Sequence, residues 1–174
     1  PDARRCAEMI GKRVERFAKG TFGKQGGFTF SAGQYERLVR HLNSPITEGG
    51  RRSTIMRWIE AAAHGDRVPR YVIDTRSSVE HVYPRNPQDH WQAFEHGLEI
   101  NQLATLREMI GNLCVLPQDE LGNGPFEEKR KAYARFKTKF ANDVSKTKFW
   151  TPDAVRYRTK KLTEQTIAFL ALDV

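Results

Sequence analysis

Two short β-branched runs, each closed by a proline, limit what this chain can fold into. "SSVEHVYP" ends at Pro84 and "LCVLP" ends at Pro117, with Pro87 following the first run closely. Proline lacks the amide hydrogen that a ladder needs, and its ring clashes with a preceding helical turn. Neither run can therefore continue as a long central strand or pass directly into a helix. A third run, "RYVID" (Arg70–Asp74), follows Pro69 and reads either as its own strand or as one interrupted strand with Ser78–Tyr83. Sheet is confined to a few short strands, and most of the chain must find its order as helix.

Helical periodicity fills the rest. Ile10, Val14 and Phe17 recur at helical spacing between Asp2 and Lys19, and Gly20 ends the pattern before the glycine-rich "TFGKQGG". Ser31 with Gln34 forms a capping box for a helix whose inward stripe is Tyr35, Leu38, Val39 and Leu42, closed by Pro45 and Gly49-Gly50. A third helix is expected from Ser53 to His64, with Ile55, Trp58, Ile59 and Ala62 inward and Gly65 as its stop. Gln88 to about Met109 reads as helical with a break near Gly97, and Leu113–Pro117 as a second strand. After the turn-rich "QDELGNGP", Pro125 suits the first turn of a helix with Phe126, Tyr133, Phe136 and Phe140 on one face. Thr151 then caps a last helix that begins with Pro152 and buries Val155, Leu162 and Phe169. The expected fold class is α+β and helix-rich. Residues 1–65 read as helical scaffold and 66–174 as the part that carries motifs, together one compact unit.

The 29 basic and 21 acidic side chains give a net charge of +8, and its location is more telling than its size. Between Phe126 and Lys161 lie twelve Lys/Arg and four Asp/Glu, so this stretch alone matches the net charge of the chain. Such a block concentrates polyanions and suggests phosphate contacts that weaken as salt rises. The plain alternative is a pair of solvated amphipathic helices. Cys6 and Cys114 are too few and too far apart for a tetrathiolate zinc site or a disulfide framework, which favours a reducing cytoplasm. No apolar run approaches the ~20 residues that span a bilayer. Pro1 begins the chain with no signal-peptide pattern after it, so the sequence reads as part of a longer polypeptide.

Four pieces in order, "VEHVYP", "MIGNLCVL", "LGNGPFEEK" and "FWTPDAVRYRTKKL", resemble the HNH (ββα-metal) nuclease domain at the C-terminus of GmrSD-type modification-dependent restriction endonucleases. The resemblance covers roughly residues 53–172. It implies a fold built around a ββα-metal motif and a metal-dependent DNA endonuclease, nicking or cutting both strands, that acts as effector of a phage-defence restriction system. It implies also a nucleotide-hydrolysing sensor domain elsewhere in the same polypeptide. Residue by residue, His81 would be the general base and Glu80 a ligand of a divalent metal, Mg²⁺ or Mn²⁺. Asn112 would brace the loop and the histidine, Asn123 would be a second metal ligand, and Lys129 would face phosphate. Lys129, Arg130, Lys131, Arg156 and Arg158 would hold the DNA backbone without reading bases.

The chemistry of these residue types suits that division. An imidazole titrating near neutrality can take a proton from water, and hard oxygen donors suit Mg²⁺ or Mn²⁺ better than zinc. Adjacent strand residues point to opposite faces, however, so Glu80 and His81 share one site only if the strand ends or bends between them. Bland readings stand beside each assignment: His81 as a hydrogen-bonded structural residue, Glu80 as a surface carboxylate, Asn112 as a turn residue, Asn123 as a helix cap, Lys129 as surface charge. His41, His64, His90 and His96 are expected to be non-ligands, and Trp58, Trp91 and Trp150 to be core. Two other functions remain open, a non-catalytic module that grips duplex DNA and a domain whose basic helices dock an acidic protein.

Overall fold

The computed structural model describes residues 32–47, 49–64, 77–117, 122–136 and 138–170. The expected helix at Asp2–Lys19, the glycine-rich loop, the Ser31 cap, Cys6 and the strand at Arg70–Asp74 lie outside the described residues. Within them the architecture is α+β and helix-rich, with a single two-stranded sheet.

Two helices come first, α1 (Ala32–Leu42) and α2 (Gly49–His64). Arg40 and His41 stand in the last turn of α1, where cations are favoured by the carbonyl end, and the side chains of Asn43 and Ser44 donate to the carbonyls of Val39 and Arg40. The expectation that Gly49-Gly50 would close the preceding segment is corrected. The pair opens α2, because packing of Met56, Trp58 and Ile59 into the core outweighs the low helix propensity of glycine.

Strand β1 (Ser77–His81) pairs antiparallel with β2 (Leu113–Pro117), His81 opposite Leu113 and Glu80 opposite Cys114. β1 stops three residues before Pro84, as the proline demands. Leu113, Cys114, Val115 and Leu116 of β2 are all buried, and α2 packs against both strands. A strand covered on both faces reads as an unbroken apolar run, which explains "LCVL".

The connection between the strands holds the short helix α3 (Gln92–Glu95) and the longer α4 (Ile100–Glu108). Gly97, at a φ of 75°, turns the chain between them in the left-handed region where glycine is at ease. Tyr83 stacks on Phe94 at 4.2 Å, and Trp91 meets Tyr83 edge-on at 5.5 Å.

After β2 come α5 (Phe126–Tyr133), α6 (Lys139–Ser145) and α7 (Pro152–Leu170). The single helix expected from Phe126 through Phe140 is two, broken between Ala134 and Thr138. A tertiary contact explains the restart. The fully buried Glu60 of α2 accepts the backbone N–H of Lys139 at 2.6 Å and of Phe140 at 3.2 Å, placing a carboxylate at the positive end of α6. Thr138 adds a local cap through the N–H of Ala141. α7 starts as expected, with the hydroxyl of Thr151 accepting from Ala154, and it buries Val155 and Leu162.

Candidate functional site

The strand does not bend between Glu80 and His81. Both stay in the ladder, so their side chains leave on opposite faces. Glu80 turns toward α5, where its Oε1 lies 2.8 Å from Nζ of Lys129. His81 turns toward α4, with Nε2 3.5 Å from each carboxylate oxygen of Glu108.

On the α5 side, Lys129 is only 2% exposed. Its ammonium donates to Glu80, to the His81 carbonyl at 2.7 Å and to the Val82 carbonyl at 3.1 Å, which uses all three of its protons. Burial raises the Glu80 pKa and lowers the Lys129 pKa, and in each case the partner's charge opposes the shift. Desolvation thus costs more than the pair returns, as is common for ion pairs taken out of water.

On the other face, His81 meets a cluster of three charged residues. Arg52 of α2 lies 2.7 Å from Glu108 and also donates to the carbonyls of Ile46 and Thr47, at 3.0 and 2.9 Å. Arg85, 55% exposed, approaches Glu108 at 3.5 Å. Arg52 is buried and spent on Glu108 and the two carbonyls, so Arg85 is the guanidinium of this cluster open to an anion such as phosphate. The His81 pKa falls from the ordinary 6.5 to about 4, chiefly through burial; Glu108 opposes the fall, and Arg52 and Arg85 add to it.

A stability consequence follows with a definite sign. As pH falls below 6.5 the unfolded chain takes up a proton on this histidine before the folded chain does, so the fold weakens until pH falls through about 4. With chelator present, urea unfolding of the wild type should lose about 2 kcal/mol more between pH 7 and pH 5 than His81→Gln loses. Parallel losses in the two proteins would contradict the assigned environment of His81.

Asn112 is the pin of the assembly. Its side chain is fully buried; Oδ1 accepts from the backbone N–H of Tyr83 at 2.8 Å and from Trp150 Nε1 at 3.1 Å, and Nδ2 donates to the carbonyls of Tyr83 and Arg107. Its backbone carbonyl accepts from Val82. These bonds fasten the segment after His81 to α4 and to the start of α7. Asn123 is exposed, and its backbone carbonyl accepts from Nε2 of His90 at 3.0 Å. His90, expected to be a non-ligand, holds the loop of Asn123 in place through this bond.

Two of the five expected phosphate contacts are corrected. Lys129 is spent inward, as described. Arg158 is also buried: Nη1 donates to the carbonyls of Gly111 and Leu113 at 2.6 and 3.0 Å, and its guanidinium lies over the Phe140 ring. Both cations satisfy backbone acceptors that water cannot reach, so neither can serve a ligand without dismantling the core. Lys131 and Arg156 remain exposed, each beside a neighbouring carboxylate (Glu127 and Asp153), and Arg130 is half-buried. Trp58, Trp91 and Trp150 are core.

Sequence reasoning missed Arg52, Arg85 and Glu108. Arg85 had a local signal in "HVYPRNP", a cation just past the strand end, and Glu108 stands directly before "MIGN". Arg52 had none; only the packing of α2 brings it here.

A divalent ion can be tested against these donors. Among the described residues no three of His, Cys, Asp and Glu gather as a metal-binding group. The oxygens at the end of β1, one from Glu80 and two from carbonyls, already surround one cation, the Lys129 ammonium. The Glu80 side chain keeps 22% exposure and Asn123 is exposed. A carboxylate with water oxygens suits Mg²⁺ or Mn²⁺, which retain most of their waters, better than zinc; among the described residues no hydrogen bond joins Glu80 to Asn123.

A family model described as the C-terminal domain of GmrSD restriction endonucleases matches residues 36–165. No curated protein and no solved structure matches the chain.

Proposed function

The chain belongs to the family of GmrSD restriction endonuclease C-terminal domains, and on that premise we propose that it is a DNA endonuclease in which His81 is the general base. Glu80 leaves the strand on the other face, so the observation that carries this reading is the His81 face itself, an imidazole set beside Arg52, Arg85 and Glu108. In-line displacement at phosphorus needs the attacking water on one side of the phosphate and the leaving oxygen on the other. His81 serves the first side. Burial keeps it unprotonated at neutral pH, which leaves a lone pair to accept a proton but makes it a weaker base than the near-neutral imidazole expected from the sequence. Arg85 stands exposed beside it to hold a non-bridging phosphate oxygen.

As the family resemblance implies, Glu80 and Asn123 would hold Mg²⁺ or Mn²⁺, which would supply charge neutralisation to the phosphate and the departing 3′-oxygen; with Glu80 on the other strand face in this structure, that role requires the end of β1 to rearrange. Water gives its proton to His81, its oxygen bonds to phosphorus, the bond to the 3′-oxygen breaks, and that oxygen takes a proton from solvent. The products are a 5′-phosphate and a 3′-hydroxyl. The strand–strand–helix unit of β1, β2 and α5 is read as the ββα-metal motif. Asn112 holds that unit in register, and Arg130, Lys131 and Arg156 add backbone contacts from the basic surface. We place the domain in a cytoplasmic phage-defence system, as the 66–174 nuclease core on a 1–65 scaffold, with a nucleotide-hydrolysing sensor domain in the same polypeptide. Among the described residues no helix is long and apolar enough to cross a membrane.

Plasmid incubation with Mg²⁺ or Mn²⁺ tests the proposal. Wild type should cleave, and His81→Ala should lower the rate at least about 100-fold. Equal cleavage by both would remove His81 from the mechanism. The occupied Oε1 of Glu80 favours a second reading, a module that grips DNA without cutting. Salt-sensitive binding without cleavage in either protein would select it.

A further inference from the structure

We propose that Glu108 is a positioning residue for this reaction: it holds the Nε2 edge of the His81 ring, so that Nδ1 is the atom that receives the proton from water. The inference rests on the nuclease reading above and extends it to a residue outside the matched motif pieces.

An ionised carboxylate can only accept hydrogen bonds, so an imidazole nitrogen turned toward both oxygens of Glu108 must be the one that carries hydrogen. In a neutral ring the other nitrogen then keeps its lone pair, and here that nitrogen is Nδ1. Glu108 is itself held rigid. Arg52 grips it at 2.7 Å from a buried position pinned by the carbonyls of Ile46 and Thr47, and the backbone carbonyl of Glu108 accepts from Ile46 at 2.8 Å. A carboxylate so fixed defines the ring's direction instead of following it.

The 3.5 Å separation is the outer limit of a hydrogen bond. That length suits a resting contact which tightens when the ring gains positive charge, the moment at which a neighbouring anion helps most. Arg52 keeps Glu108 aimed, and Arg85 shares it from the solvent side. A purely structural account would have Arg52 and Glu108 only tie the Ile46 segment to α4. The two accounts differ in what they expect of the histidine.

The test uses the 174-residue chain with its histidines labelled with ¹⁵N, together with Glu108→Gln, which keeps an acceptor for Arg52. In the wild type, at pH 7 without metal or DNA, ¹⁵N shifts should place the His81 hydrogen on Nε2. A predominant Nδ1–H form overturns the proposal and needs no variant to be seen. In steady-state cleavage of a plasmid, Glu108→Gln should lower kcat about 10–100-fold with KM within twofold, while Arg52 keeps the fold intact. Unchanged kcat, or a loss confined to KM, overturns it. If the wild type does not cleave DNA, the nuclease reading fails and the catalytic role of Glu108 falls with it. A wild type that cleaves beside an equally active Glu108→Gln sinks only the positioning role.

Discussion

Gly111→Ala is expected to destabilise the domain by about 3 kcal/mol or more, enough to leave much of the chain unfolded at 37 °C. A Cβ at this position would lie 2.1 Å from the Val155 carbonyl oxygen, 2.3 Å from the Thr159 hydroxyl and 2.7 Å from the Thr159 amide nitrogen. Two of these three atoms belong to the backbone of α7, so no rotamer change can make room. The turn before β2 would have to lift off the helix, and bonds made there would go with it: Gly111 N–H to Thr159 at 3.1 Å, and Arg158 to the Gly111 carbonyl. Asn112, the next residue, would carry its four side-chain bonds out of register. Thermal unfolding of the variant measures the effect. A change in Tm of less than about 3 °C, well under what 3 kcal/mol implies for a domain of this size, would mean that α7 does not sit against Gly111.

Lys129→Met is the second large effect, expected at about 3 kcal/mol near pH 7. Methionine keeps the volume and removes three donors, leaving the Glu80 carboxylate and two buried carbonyls without their partner. The deficit has a pH signature. Burial already raises the Glu80 pKa, and loss of the ammonium raises it further, so the folded variant binds a proton more readily than its unfolded chain. Its deficit relative to wild type should therefore grow from pH 5 to pH 8, where the carboxylate must be charged. Glu80→Gln on top of Lys129→Met should recover part of the loss, since the double variant buries no lone charge. Urea unfolding of the four proteins measures the cycle. If Lys129 instead faced phosphate, its substitution would weaken DNA binding and leave stability within about 0.5 kcal/mol.

The two positions work in different ways. Gly111 and Asn112 join the strand pair to the last helix; Lys129 seals the end of the first strand. Neither task requires contact with a ligand; both fix the backbone at and just after His81. Among the cations singled out, Arg85, Lys131 and Arg156 are exposed, while Lys129 and Arg158 are buried and brace the strand pair.

Much of this was legible in the residues themselves. Pro84 and Pro117 cap two short strands because their missing amide hydrogens cannot be supplied from elsewhere. The break at Gly97 and the start of α7 at Thr151-Pro152 are equally local, set by a backbone conformation and by a cap within four residues. The opposite faces of Glu80 and His81 follow from the two-residue period of a strand once no bend intervenes.

Other features needed the assembled chain. The division of α5 from α6 depends on Glu60, some eighty positions away, with Thr138 as a local cap. Lys129 and Arg158 look like surface charge in a basic segment until the acceptors they satisfy are brought over them. Arg52, Arg85 and Glu108 meet at His81 from three separate segments. Periodicity and turn chemistry act through neighbours along the chain, so the sequence alone could determine the elements and their order. The partners of a buried charge are chosen by packing, which acts through space, and that choice belonged to the tertiary structure.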